Sequence, residues 1–277
     1  MVAKNHIRID DKYYISPCDI QFFHEFGYLV LPQILLTNEV NELEYWFDHF
    51  ISGNESHQMG RDFAGLSQPF NTPISQLELI TALFPSQYRP ELKNNIFFKV
   101  AQCIADQLYS SGKTDLDLEY FSAKKPNKMQ TKYAMHQDLT SWPKTEKPWT
   151  ATFSLAITDS TLENGCLEVI SNSNYESRLR KYQLKQKHNE CCQAQESRSL
   201  PHDKVIHLPI KKGDVTIHNE RIVHGSQANT SPHWRKMYFM SFRDKETIKQ
   251  QQGMGFSHSR NNHNSQHIKN KTQQLKL

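Results

Sequence analysis

Met135-His136-Gln137-Asp138 is the segment of this chain with the most evident capacity for chemistry. On an extended backbone, residues i and i+2 point to the same side, so His136 and Asp138 could reach one ion together. Neutral imidazole with carboxylate is a ligand set that suits Fe(II), and one further protein ligand would still leave positions open for reactants. His-x-Asp recurs by chance, so the third ligand has to be sought elsewhere. His224 directly follows the apolar pair Ile222-Val223 at the end of a strand-like run. Arg235 stands eleven residues later, where the chain becomes the strand Lys236 to Phe242. A buried arginine at a strand start can hold a carboxylate through two parallel hydrogen bonds. Taken alone, it reads more readily as a surface arginine near a turn. His218 and His207 are rivals for the third ligand, and His218 could instead line the pocket.

The elements that must position these residues come in two blocks. Ser16-Pro17 opens a helix well, because serine caps and proline is tolerated at the first helical position. Gly27 supplies its stop. Tyr28 to Leu31 reads as a short strand ended by Pro32. A second helix begins at Thr37, with Val40, Leu43, Phe47 and Phe50 on one face. A third is expected over Ser75 to Phe84 and a fourth over Glu91 to Tyr109. The period then changes. Leu116, Leu118 and Tyr120 alternate with acidic residues, and Phe153, Leu155 and Ile157 alternate with small or polar ones. Asn164-Gly165 is a tight-turn signal ahead of a strand Cys166 to Ile170. Val205 to Ile210, Val215 to His218 and Met237 to Phe242 add more strands. Short strands separated by turns indicate an all-β sandwich or barrel, not alternating β-α-β units. Tyr175 to Leu200 interrupts them with a charged, Gln- and Lys-rich insertion that reads as a lid over a site.

Composition excludes some functions. The net charge is +4, and residues 251–277 contribute four basic residues (Arg260, Lys269, Lys271, Lys276) and no acidic ones. The remaining body is therefore neutral, which argues against a nucleic-acid partner. Residues 251–277 read as a disordered, polar, basic tail. No run of about 18 apolar residues suggests a membrane span. Five cysteines without a CxxC spacing, behind a polar start from Met1 to Tyr14, fit free thiols in the cytoplasm.

The joint pattern resembles the phytanoyl-CoA dioxygenase family. His136-Gln137-Asp138-Leu139 with Trp142 is similar to its first metal motif. Ala156-Ile157 through Glu163-Asn164-Gly165-Cys166-Leu167 is similar to its next strand and turn. His224-Gly225-Ser226, Asn229 and Arg235 are similar to its closing motif, and Phe22 through Pro32 to its opening helix and strand. The resemblance spans roughly residues 16 to 243. It implies a mainly β fold with flanking helices, a double-stranded β-helix (cupin-like jelly roll), as one domain over 1–250. That domain would have a helix-rich part at 1–110, a jelly-roll core at 111–245 and the insertion at 175–200. It implies Fe(II) held by His136, Asp138 and His224, with 2-oxoglutarate and O2 as cosubstrates and ascorbate as an accessory reductant. Arg235 would pair with the distal carboxylate of 2-oxoglutarate, with Gln137, Ser154 and Ser226 as further cosubstrate contacts. Trp142, His218 and Asn174 would face the substrate. The family usually has Pro-Gly-Ser-His after the strand that ends here at Ile170, whereas this chain has Ser171-Asn172-Ser173-Asn174, so a relative's substrate does not transfer. A carboxylate at 138 favours hydroxylation over halogenation. The implied function is hydroxylation of a small molecule with release of succinate and CO2. Desaturation, epimerisation or ring formation on the same centre, and a cupin-like binding protein without turnover, are the alternatives. Oligomeric state is not legible.

Overall fold

The structure is a computed structural model that describes residues 6–66, 68–109, 113–184 and 195–262. The chain opens with a hairpin, β1 (Ile7–Ile9) and β2 (Lys12–Tyr14), followed by α1 (Pro17–Phe26), β3 (Tyr28–Leu31) and α2 (Thr37–Ile51). Next come the one-turn α3 (Ser56–Met59), β4 (Phe63–Gly65), β5 (Leu79–Leu83), the one-turn α4 (Pro85–Tyr88) and α5 (Ile96–Leu108). The core strands follow as β6 (Thr114–Lys124), β7 (Tyr133–His136), β8 (Thr150–Ala156) and β9 (Leu167–Ile170). A small hairpin, β10 (Tyr182–Leu184) and β11 (Gln195–Ser197), precedes β12 (Val205–Leu208), β13 (Val215–His218), β14 (His224–Ser226), β15 (Arg235–Asp244) and α6 (Lys245–Gly253).

The helix signals work as the sequence suggests. The Ser16 side chain accepts from the Asp19 amide, Pro17 occupies the first turn, and Gly27 closes α1 in the left-handed region at φ 75°. Asn95 caps α5 by accepting from the Phe98 amide. The expected helix over Ser75 to Phe84 is instead a short 3-10 turn followed by β5. Leu79–Leu83 is buried at every residue and apolar at all but Thr81, and such a run fits a two-sided buried strand as well as a helix.

Two antiparallel sheets make the jelly roll. The major sheet has the order β3-β13-β8-β15-β6-β5-β4, and the minor sheet β12-β9-β14-β7. Strand alternation gives the major sheet two unlike faces. One face presents Phe121, Phe153, Leu155, Val215, Ile217, Tyr238, Met240 and Phe242, all fully buried, to α2 and α5. On the opposite face Thr216 pairs with Ser154, Ser154 with Phe239, and Phe239 with Tyr120. Two rows further along the same face, Arg235 lies opposite Lys124. Full burial of each large apolar side chain contributes about 1.5–3 kcal/mol, so the helix-facing layer carries most of the stability.

One expectation about the chain's periphery changes, and another falls outside the described residues. Residues 251–262 are not a free tail. Gln251 is buried and donates to the Pro143 carbonyl while accepting from Arg243. His258 lies 3.0 Å from an Asp117 carboxylate oxygen, and the Arg260 amide donates to Asp62 at 2.7 Å. Residues 263–277 fall outside the described residues. In the insertion, Arg180 is buried and paired with Glu176 and Asp203, which anchors its start. Its centre, residues 185–194, falls outside the described residues, and with it the expected lid.

Candidate active site

β7 and β14 are neighbours in the minor sheet, and their register sets His136 opposite His224. Asp138 begins the short turn that follows β7. One ligand atom from each of His136, Asp138 and His224 lies within 4.8 Å of the others. His136 Nε2 is 3.5 Å and His224 Nε2 3.8 Å from Asp138 Oδ1. Each ring has its Nδ1 near a backbone carbonyl two residues back: 2.8 Å to Ala134 for His136, and 3.0 Å to Ile222 for His224. Donation from Nδ1 leaves the Nε2 lone pairs turned toward the carboxylate, the tautomer a metal ligand needs. Burial, with the imidazoles of His218 and His136, holds His224 well below its ordinary pKa and so keeps it neutral. Burial opposes charge on Asp138, but His224, His136 and His218 outweigh it and hold the carboxyl well below the usual range. The donor set therefore fits a divalent metal.

His218 ends β13 with its ring 4.0 Å from that of His224, and both its nitrogens lack a hydrogen-bond partner among the described residues. It sits 3.5 Å from Asp138 Oδ2, beside the triad and outside the three-residue set. Nearby Glu220 accepts from the Thr150 amide, and burial pushes its carboxyl up to about 7.

The second half of the site lies on the inner face of the major sheet. Arg235 is only 3% exposed. Its Nε donates to Ser160 Oγ at 3.1 Å, and no carboxylate pairs with it among the described residues. Burial lowers its pKa to about 10. A buried guanidinium without an anion is costly, and a carboxylate ligand would relieve that cost. Lys124 adds a buried amine, which sequence reasoning missed; burial and the neighbouring Arg235 hold its pKa well below the usual lysine range. Its Nζ donates to Ser226 Oγ at 2.6 Å and to the Gln227 carbonyl. The signal was available: extending the alternation Leu118, Tyr120, Ser122 by one step reaches Lys124. Gly165 lets the neighbouring turn close down, since a Cβ there would meet the Gln227 carbonyl oxygen at 2.0 Å.

The remaining sequence candidates divide. Ser226 and Ser154 lie on the site side, and the Ser154 hydroxyl is buried without a partner. Gln137 lies on the side opposite the His136 and Asp138 side chains. Alternation turns it away from His136 and Asp138, and its amide is used up by the Arg180 amide and the Arg221 carbonyl. Asn174 clasps the end of α1 instead, donating to the Glu25 carbonyl and packing where a Cβ on Gly27 would stand. Trp142 lies under the Arg243 guanidinium at 4.3 Å and edge-on to His258.

The family model for phytanoyl-CoA dioxygenase matches residues 23–237. The chain belongs to the phytanoyl-CoA dioxygenase family. A curated member, a phytanoyl-CoA dioxygenase domain-containing protein 1 homolog from Dictyostelium discoideum, is 30% identical over 151 residues, 52% of this chain and 53% of the relative. The chain thus spans about half the length of that relative. Among solved structures, the non-haem α-ketoglutarate-dependent carbocyclase SnoK from nogalamycin biosynthesis aligns with a TM-score of 0.63 at 22% identity, over 83% of this chain and 84% of its own. EvdO2 from Micromonospora carbonacea var. aurantiaca, solved with 2-oxoglutarate, aligns at 0.66 and 18% identity, over 83% and 91%. These likenesses establish that this phytanoyl-CoA dioxygenase family member shares their fold.

Proposed function

We propose that this family member is an Fe(II)- and 2-oxoglutarate-dependent oxygenase that hydroxylates a small molecule. The observation that carries the reading is Arg235, a buried guanidinium without an anion, on the face that also holds Lys124. In this reading His136, Asp138 and His224 hold the metal, and Arg235 pairs with the distal carboxylate of 2-oxoglutarate. Bound there, iron would supply oxygen activation coupled to decarboxylation of 2-oxoglutarate to succinate and CO2. Lys124 orients Ser226, whose hydroxyl can contact the cosubstrate. Met237 and Phe239 are buried on the inner face and exclude water there, which strengthens the electrostatic hold of Arg235. Ascorbate would serve only to keep the metal reduced. Among the described residues no helix is long and apolar enough to cross a membrane, and we place the protein in the cytoplasm on its free thiols.

SnoK is a carbocyclase, and SnoN of the same biosynthesis is an epimerase, so one experiment should also read the reaction outcome. Protein loaded with Fe(II) is incubated with 2-oxoglutarate, O2 and a metabolite extract. Succinate should form together with a product that has gained one oxygen atom. A product lacking two hydrogens would indicate ring closure or desaturation instead. No iron-dependent succinate from any extract would reject the oxygenase reading.

A further inference from the structure

A concave pocket of about 240 Å³ opens on the inner face of the major sheet, room for part of a small molecule with the rest extending outward. Leu83, Leu118 and Tyr120 form its floor, Tyr133 one side, and His258 and Arg260 of the docked C-terminal segment the rim. The pocket adjoins the site through Tyr133, which begins the strand that ends at His136 and whose ring centroid lies 5.5 Å from Lys124 Nζ. The rim belongs to a part of the chain beyond residue 237, where the family match ends. What it selects is therefore a property of this chain and not of the shared core.

The rim carries a guanidinium whose side chain is bound only to a neutral hydroxyl among the described residues. Arg260 donates through both terminal nitrogens to the same neutral acceptor, Thr81 Oγ1, at 3.0 Å. No carboxylate pairs with its guanidinium among the described residues. The nearby acids are engaged otherwise. Asp62 accepts from the Ser259 hydroxyl, the Arg260 amide and the Asn261 amide group. Asp117 is shared by Arg243 and His258. A guanidinium has five donors in a planar fork that suits two oxygens of one anion. Arg260 thus keeps donor capacity at the mouth of an apolar-floored pocket.

Resting on the oxygenase reading above, we propose that Arg260 anchors an anionic group of the primary substrate, a carboxylate or a phosphate monoester, whose apolar body lies over Leu83, Leu118 and Tyr120. Arg260 is then a specificity-determining residue, distinct from Arg235 on the cosubstrate.

Calorimetry on the full chain loaded with Fe(II) and 2-oxoglutarate under nitrogen tests this. The probes are 4-phenylbutyrate, its uncharged amide, and 3-phenylpropyl phosphate. Wild-type protein should bind at least one of the two anions tenfold or more tighter than the amide, and the tighter anion identifies the group. Arg260→Gln keeps a donor for Thr81 but removes the charge, and should lose that preference with amide binding unchanged. Arg260→Lys should retain most of it. Equal affinity for anion and amide in wild type, or an undiminished preference in Arg260→Gln, overturns the proposal. So does a selective loss of 2-oxoglutarate binding in Arg260→Gln, which would assign the residue to the cosubstrate. If wild-type protein fails to bind 2-oxoglutarate at all, the oxygenase reading falls, and the anion-against-amide comparison still decides the role of Arg260.

Discussion

The two faces of the major sheet are made by alternate residues of the same strands, yet they are chemically opposite. Phe153 points to the helices and is fully buried among apolar neighbours, while Ser154, next in sequence, buries a hydroxyl with no partner among the described residues. Tyr238 and Met240 face the helices, while Arg235 on the same strand buries a guanidinium that no described carboxylate pairs. One face is optimised for folding. The other accumulates groups whose burial is unfavourable until something binds them. Strand alternation thus lets a single sheet separate stability from binding at the level of neighbouring residues.

The contrast breaks most severely at the metal end. Asp138→Ala removes the carboxylate between two imidazoles and should abolish stoichiometric Fe(II) binding. Succinate formation should fall at least a hundredfold, while circular dichroism stays native. Metal content and turnover measured together check this, and a variant with wild-type values for both would void the ligand assignment.

On the opposite face the effect should be reversed in kind. Phe153→Ala should cost about 3–5 kcal/mol of stability by leaving a cavity, read from urea denaturation, with 2-oxoglutarate affinity of the folded protein unchanged. A loss of affinity larger than the loss of stability would show that the faces are coupled.

Glu220 extends the comparison to pH. Its folded pKa of about 7 lies above the ordinary 4.5 because burial disfavours its charge. A raised carboxyl means that the folded state binds the proton more tightly. Its contribution to stability is therefore greatest at low pH and is lost as pH rises from about 4.5 to about 7. Glu220→Gln should flatten that part of the stability profile. An unchanged slope would mean that the carboxyl is solvated in the folded state.

The smallest effect should have the opposite sign. Ser154→Ala removes an unpaired buried hydroxyl and should stabilise the ligand-free protein by up to about 1 kcal/mol, measured as a raised Tm. A destabilisation would indicate that the hydroxyl is already satisfied in the folded state.

Much of this was legible because it depends on local rules. The capping box at Ser16, the stop at Gly27 and the strands from Leu116 onward follow from backbone and side-chain chemistry within a few residues. His136, Asp138, His224 and Arg235 could be picked out because their surroundings, not their types alone, repeat a family pattern. What failed depends on tertiary context. Leu79–Leu83 has no period that separates a two-sided strand from a helix. Gln137 resembles a site residue because it lies between two of them, whereas alternation sends it to the other side. Residues 251–262 have no apolar stripe, since they dock through Asp62 and Asp117, acids some 140 to 200 residues distant in sequence. Such pairings leave no mark on the composition of either partner.

The central claim is that the buried charge of Arg235 awaits the distal carboxylate of 2-oxoglutarate. It is tested most directly by comparing 2-oxoglutarate with 2-oxobutyrate, which lacks that carboxylate, on metal-loaded wild-type and Arg235→Gln protein under nitrogen. Breaking a buried charged pair costs about 3–5 kcal/mol, so wild type should prefer 2-oxoglutarate by two orders of magnitude or more, and Arg235→Gln should bind the two within a few-fold. Iron binding should be the same in both proteins. An equal preference for 2-oxoglutarate with and without the arginine would contradict the account.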